Sequence, residues 1–267
     1  MQKVKPLKRF GQNYLHDNNI IKKIVREIDP KPDDTIVEIG PGRGALTEHI
    51  YGKTNEFFAV EIDKRVIDDL GSRFPDLKLI QSDFLKIDLN LLQSSENYRI
   101  RIIGNIPYNI TSPIIFKAIN NSELIEDMVF TVQEEVAKRM IAKKGTKNYG
   151  ILAVLLKYFS ETKLCFKVSP NAFFPKPKVT SAVVHIILKK LKSEKNEQQT
   201  FINIVKAAFG NRRKTLKNSL SNSIFREINF SGADIDLSLR AEQLDVNDFI
   251  QLAEFVRDQL NLSDLAF

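Results

Sequence analysis

Thr35-Ile36-Val37-Glu38-Ile39-Gly40-Pro41-Gly42-Arg43-Gly44 decides how the rest of the chain is read. The first five residues predict a strand buried on both faces, the glycines predict a tight turn, and a helix is expected over 45–51. Strand, glycine-rich turn, helix is the nucleotide-binding order, because glycine lets backbone amides approach a ligand closely at a helix N-terminus. Alone, the pattern is weak. The next apolar run, Phe57-Phe58-Ala59-Val60, ends in Glu61-Ile62-Asp63. An acid about twenty residues past such a turn suits a carboxylate that grips ribose hydroxyls. Asp63 reads as the N-cap of the helix carrying Val66 and Leu70, so the ribose is assigned to Glu61.

A third strand, Leu77 to Ile80, runs into Gln81-Ser82-Asp83. Ligands of open α/β sheets gather at the carboxyl ends of strands, where Asp83 can accept a hydrogen bond from an adenine amino group; a turn or cap role is the alternative. A fourth strand, Ile100 to Ile103, leads into Gly104-Asn105-Ile106-Pro107-Tyr108. This stretch suits a flat, amino-bearing base. The lone pair of such an amino nitrogen is delocalised into the ring, so an amide oxygen and a backbone carbonyl freed in a proline turn are needed to accept its hydrogens and draw it toward tetrahedral geometry. Asn105 supplies the amide, the Ile106-Pro107 turn the carbonyl, and Tyr108 an aromatic face on which an unstacked base can lie.

Helices over 112–119, 134–141 and 149–159 and strands near 128–132, 162–168 and 181–188 continue the alternation, which predicts an α/β fold with a mostly parallel sheet and right-handed crossovers. Between the last two strands, Phe173-Phe174-Pro175-Lys176-Pro177-Lys178-Val179 is a proline-spaced loop from which one phenylalanine, Phe173 or Phe174, is expected to wall the base. Before the first strand, Phe10-Gly11-Gln12-Asn13-Tyr14-Leu15 fits neither period and is expected to lie across a ligand. A helix follows over about 18–28.

The 267 residues, 43% of them hydrophobic, suffice for a large core. A single cysteine, Cys165, excludes an internal disulfide, and three scattered histidines leave no zinc set, so no metal is expected. The longest purely apolar run, Ile151 to Leu156, is far too short for a bilayer, and no signal-like stretch opens the chain, so a cytosolic or organellar location is expected. Net charge of +7 favours a polyanionic partner. Residues 189–199 read as a linker, and Phe201 to Leu220 as a helical stretch rich in bases, Arg212, Arg213 and Lys214 among them. From Ser221 onward nine acids oppose three bases, with helical patterns at 238–244 and 247–260. The expected division is therefore 1–190 and a small helical domain, 191–267.

With these residues in place, the chain resembles the ribosomal RNA adenine dimethyltransferases that use S-adenosylmethionine. The likeness rests on FGQNYL at 10–15, VEIGPGRGALT at 37–47, GNIPYN at 104–109, FFPKPKVTSAVV at 173–184, AAFGNRRKTLKNSL at 207–220 and LRAEQL at 239–244. It implies a seven-stranded, Rossmann-like methyltransferase sheet plus a small all-helical C-terminal domain. It also implies cofactor contacts at Asn13, Leu15, Gly40, Glu61, Asp83 and Asn105, and base contacts at Asn105, Ile106, Pro107, Tyr108 and Phe173. The bacterial small-subunit enzymes linked to kasugamycin resistance, which dimethylate two adjacent adenines near the 3′ end of the small-subunit rRNA, are nearest in KNYGILAVL at 147–155 and in the RRKTLKNSL and RAEQL segments. NIPY is shared with the macrolide-resistance methylases of the large subunit, and that alternative stays open, as does a non-catalytic RNA-binding assembly factor on the same fold. The expected partner is the small ribosomal subunit, met by a cytoplasmic monomer through Arg212, Arg213 and Lys214.

Overall fold

The computed structural model describes residues 6, 12–92, 99–211 and 213–264. The chain forms two compact units: residues 1–137 with 160–190, and residues 138–159 with 191–267. One junction between the units falls after Lys190. The segment 138–159, assigned from sequence to the larger domain, belongs instead with the C-terminal helices.

In the larger unit, strands β1 (Tyr14–Leu15), β2 (Thr35–Ile39), β3 (Glu56–Glu61), β4 (Lys78–Gln81), β5 (Ile100–Asn105), β6 (Ile125–Gln133), β7 (Ser160–Val168), β8 (Phe173–Phe174) and β9 (Ser181–Leu188) alternate with α1 (Asn18–Ile28), α2 (Thr47–Ile50), α3 (Lys64–Arg73), α4 (Thr111–Asn120) and α5 (Glu134–Met140). Seven strands make one sheet in the order β4-β3-β2-β5-β6-β9-β7. The pairs from β4 to β6 are parallel, whereas β9 runs antiparallel to both β6 and β7. All five residues of β2 are buried, as a central strand covered on both faces must be. Chain order turns back between β2 and β5, so Gly40 and Asn105 lie at the switch point where open sheets bind ligands.

Helix α1 shows how local sequence feeds the core. The Asp17 carboxylate accepts the amides of Asn19 and Ile20, the helix ends at Asp29 with φ 47°, and Ile21, Ile24, Val25 and Ile28 form its buried stripe. Burial of each such side chain contributes about 1.5–3 kcal/mol. The glycine turn departs from expectation. Turns extend through Leu46 and α2 spans only four residues, so no long helix begins at the glycine turn.

At the opposite end of β5 from Asn105, Arg101 donates to both oxygens of Asp127 at 2.7 and 2.9 Å, to Asp34 at 2.7 Å and to the Ile28 carbonyl at 2.7 Å. His185 contacts Asp127 at 2.8 Å and Glu27 at 3.3 Å. The bond to Asp127 raises the His185 pKa, while burial opposes it. Burial would raise the Asp127 pKa, but Arg101 and His185 hold it below the ordinary carboxylate value. Cys165 is a partly buried free thiol.

The C-terminal unit contains α6 (Ile151–Phe159), α7 (Lys195–Phe209), α8 (Leu216–Leu220) and α9 (Val246–Asp264) around Phe159, Phe201 and Phe249. Phe201 stacks on Tyr158 with centroids 4.0 Å apart and meets Phe159 edge-on. The Tyr149 hydroxyl donates to the Leu244 carbonyl at 3.0 Å, and the Gly145 amide to that of Glu242 at 2.9 Å. These bonds hold 138–159 against the RAEQL segment, a pairing no periodicity can reveal. Two further expectations change. Helix α7 starts inside the expected linker, where Glu194 and Glu197 form a reciprocal cap, and the helical stretch expected over 201–220 holds two helices, α7 ending at Phe209 and α8 beginning at Leu216. The pattern at 238–244 becomes one 3-10 turn at Ala241–Gln243. No helix among the described residues is long and apolar enough to cross a membrane, and no group of three or more potential metal ligands occurs among them.

Candidate active site

A cleft of about 200 Å³ opens at the carboxyl ends of β2, β3, β4 and β5, lined by Gln12, Asn13 and Tyr14, by Gly40 and Gly42, by Glu61 and Ile62, by Asp83, and by Asn105 through Ile110. Of the expected cofactor residues, Asn13, Gly40, Glu61, Asp83 and Asn105 converge here. Leu15 does not line this cleft: it is a core residue, paired with Phe173, and borders a smaller cavity beneath the glycine turn.

Gly40 has φ 64°, and a Cβ there would meet nothing within 4 Å, so its open side faces space that a ligand can fill. At Gly42 a Cβ would stand 2.9 Å from the Tyr14 ring, so the tyrosine rests directly on the turn. Burial pushes the Tyr14 hydroxyl up to about 12, reinforced by Glu61 and Asp63, which keeps it a neutral donor to Gln12 at 2.9 Å.

Glu61, at the end of β3, is 5% exposed. Its Oε1 accepts the amides of Ile62 and Asp63, each at 2.9 Å, and the Gly42 amide adds a third bond. A carboxylate offers about four acceptor positions, so capacity remains for a ligand hydroxyl. Burial raises its pKa and the backbone donors partly offset this. Nearby Glu38, fully buried and hydrogen-bonded by Thr47 at 2.6 Å, is raised by burial to about 7. Asp63 is the N-cap of α3, as expected, and is also ion-paired with Arg65 at 2.6 Å. Asp83 reconciles two readings: one oxygen caps a 3-10 turn through the Leu85 amide at 3.0 Å, yet the residue lines the cleft.

Gly104 is required by packing, since a Cβ there would lie 2.6 Å from the Ile39 carbonyl oxygen. It lets β5 approach β2 and brings Asn105 beside the glycine turn. The Asn105 Nδ2 donates to the Asn13 carbonyl at 2.7 Å. A carbonyl can only accept, so this bond fixes the amide orientation and leaves Oδ1 as the acceptor. The Pro107 carbonyl accepts the Ile110 amide at 3.1 Å, whereas no backbone amide among the described residues donates to the Ile106 carbonyl. Asn105 Oδ1 and Ile106 O therefore stand as two acceptors at this turn.

Tyr108 bonds Ser181 Oγ through its hydroxyl at 2.7 Å. Sequence reasoning missed Ser181, because only antiparallel β9 brings its first residue to this rim. The bond fixes the ring orientation, and the resemblance would have the ring act through its face. Tyr108→Phe is therefore expected to retain most activity and Tyr108→Ala to lose most of it, base–aromatic stacking being worth about 1–3 kcal/mol; equal losses in single-turnover methylation would transfer the role to the hydroxyl. Phe173, expected to wall the base, is packed into the core at 3% exposure, and Phe174 is the exposed member of the pair. Pairing of β1 with β8 turns the first ring inward.

The family described as ribosomal RNA adenine dimethylase matches residues 4–258. The chain belongs to that family. Relatives in Francisella tularensis described as ribosomal RNA small subunit methyltransferase A are 42% identical over 95% of this chain and 98% of their own length. Among solved structures, a dimethyladenosine transferase from Plasmodium falciparum superposes with a TM-score of 0.76 at 26% identity, over 92% of this chain and 98% of that one. The 23S rRNA methyltransferase ErmE gives 0.66 at 25% identity, over 92% of this chain and all of its own. Like other ribosomal RNA adenine dimethylases, the chain is an S-adenosylmethionine-dependent methyltransferase. The cleft fits that cofactor: open space over Gly40 beside a buried carboxylate with spare acceptor capacity suits a ribose-bearing ligand.

Proposed function

We propose that the chain dimethylates the amino groups of two adjacent adenines near the 3′ end of the small-subunit rRNA, as a cytoplasmic monomer acting during small-subunit assembly. The observation that carries the reading is Asn105, locked by Asn13 so that its oxygen is an acceptor beside an open proline turn. Support for the small subunit comes from the 42% identity to proteins of that name, against 25% to a 23S enzyme.

In this reading Glu61 holds the cofactor ribose, Asp83 the adenine amino group, and Gly40 and Asn13 present backbone to the remainder. When bound, S-adenosylmethionine supplies an electrophilic sulfonium methyl. Asn105 Oδ1 and Ile106 O accept the amino hydrogens of the target and turn its lone pair out of the ring plane, while Tyr108 holds the base by its face. No strong base is required, since the methylated nitrogen is cationic and gives its proton to water.

Glu61→Ala is expected to weaken cofactor binding about ten- to a hundredfold, as loss of charge-assisted bonds of roughly 1.5–3 kcal/mol implies. Unchanged affinity by calorimetric titration would remove the assignment. Arg213 and Lys214 are exposed on the turn between α7 and α8, with no ionic partner among the described residues; Arg212 lies outside the described residues. On a turn the bases are not bound to helical spacing. Replacing all three with alanine is expected to flatten the log–log salt dependence of subunit binding by about one to two units, with cofactor affinity unchanged. An unaltered slope with a lower melting temperature would make the cluster structural. The whole reading is tested by incubating the protein with labelled S-adenosylmethionine and undermethylated small subunits: label mapped to one adenine pair supports it. Label only in large-subunit RNA, or none, overturns it.

A further inference from the structure

The loop between β7 and β9 displays chemistry that the cleft does not use. Phe174 is 55% exposed, an unusual state for so large an apolar ring in a loop fixed at both ends. Strand β8 is paired to β1, Tyr14 opposite Phe174, and the His16 amide donates to the Ala172 carbonyl at 2.9 Å. The Arg43 guanidinium lies 4.8 Å from the Tyr14 ring centroid and 5.9 Å from that of Phe174, bridging the two rings. Lys176 and Lys178, on the same loop, are exposed and have no ionic partner among the described residues. An aromatic face backed by a guanidinium and flanked by two cations is the combination that holds unpaired nucleotides: the ring takes a base, the cations take phosphates.

Position says which nucleotide. Tyr14 is in the cleft wall, and its neighbour Asn13 holds Asn105. Cross-strand partners in an antiparallel pair stand about 5 Å apart, so Phe174 is one residue pair outside the cleft. We propose that Phe174, supported by Arg43, is a second stacking platform that holds the unpaired nucleotide next to the target adenine in the RNA, with Lys176 and Lys178 on the adjoining phosphates. The inference rests on reading the cleft as the methylation site. Stacking the neighbour keeps the strand splayed while the target base is on Tyr108, and two adjacent adenines can then be presented in turn.

Phe174 is a positioning residue, so its test separates binding from chemistry. With undermethylated small subunits, Phe174→Ala is expected to raise KM about tenfold, within the range that loss of one base stack gives. The kcat, cofactor Kd and melting temperature should stay near those of the wild type. Phe174→Tyr should restore KM and Phe174→Leu should not, because leucine is apolar but has no π-face. Lys176→Ala/Lys178→Ala should flatten the log–log salt dependence of subunit binding by about one unit, a contact to single-stranded phosphate being worth roughly 0.7 each. Unchanged KM in Phe174→Ala, or rescue by leucine as complete as by tyrosine, overturns the platform. So does a KM rise accompanied by a matching fall in melting temperature that tyrosine does not reverse. If the wild type itself transfers no methyl to small-subunit RNA, the reading of the cleft fails, a result distinct from a normal wild type with an indifferent Phe174.

Discussion

Asn105→Ala is expected to lower kcat for adenine methylation by about 10²–10³-fold, the cost typical of removing one preorganised polar group aimed at developing charge. The argument is geometric. The amide is fixed by one bond, Nδ2 to the Asn13 carbonyl at 2.7 Å, and its oxygen is thereby oriented before substrate arrives. Alanine removes the acceptor and also frees Asn13, so cofactor affinity should fall as well, but by much less than kcat. Asn105→Asp separates the two effects. It retains an acceptor but cannot donate to the Asn13 carbonyl, so part of the lost rate should return while the N-terminal segment stays loosened. Single-turnover rates at saturating cofactor are the measurement. If alanine raised KM alone and left kcat intact, Asn105 would be a binding residue and the amino-group mechanism would fall.

The second large effect concerns stability. Arg101→Ala is expected to destabilise the protein by about 3–5 kcal/mol, because breaking a buried pair leaves its partner charge uncompensated. Asp127 is 8% exposed at its side chain and, among the described residues, would keep only His185 as an ionic partner. The sign of the pH dependence follows from His185. Its folded pKa is raised above the ordinary value of 6.5, so the stability it contributes is fully present below the unfolded pKa and is lost as pH rises through the folded pKa. Protonated His185 can partly replace the guanidinium, and the destabilisation should therefore grow from mildly acidic to alkaline pH. Denaturant titrations of both proteins across that span provide the check. A difference that shrank as pH rose would show that His185 does not compensate for Arg101.

The rim that carries the candidate site was largely legible in sequence because its segments are local. A strand running into Gly40, another ending in Glu61 and a third ending in Asn105 must place those residues on one rim once the strands are parallel, since all parallel strands end on the same side. Asp63 as a cap belongs to the same category. What the tertiary structure alone decided is non-local. Strand β9 enters between β6 and β7 in the antiparallel sense, so its first residue, Ser181, arrives at the carboxyl rim beside Tyr108, and the preceding loop comes with it. No period in the sequence encodes the direction of a strand relative to partners far away in the chain. The choice between Phe173 and Phe174 is of the same kind: adjacent residues on a strand face opposite sides, and the β1 partner determines which side is core. Segment 138–159 joined the C-terminal helices because Tyr149 and Tyr158 find partners there, at Leu244 and Phe201, and pairing across such sequence distances is settled only when the surfaces meet.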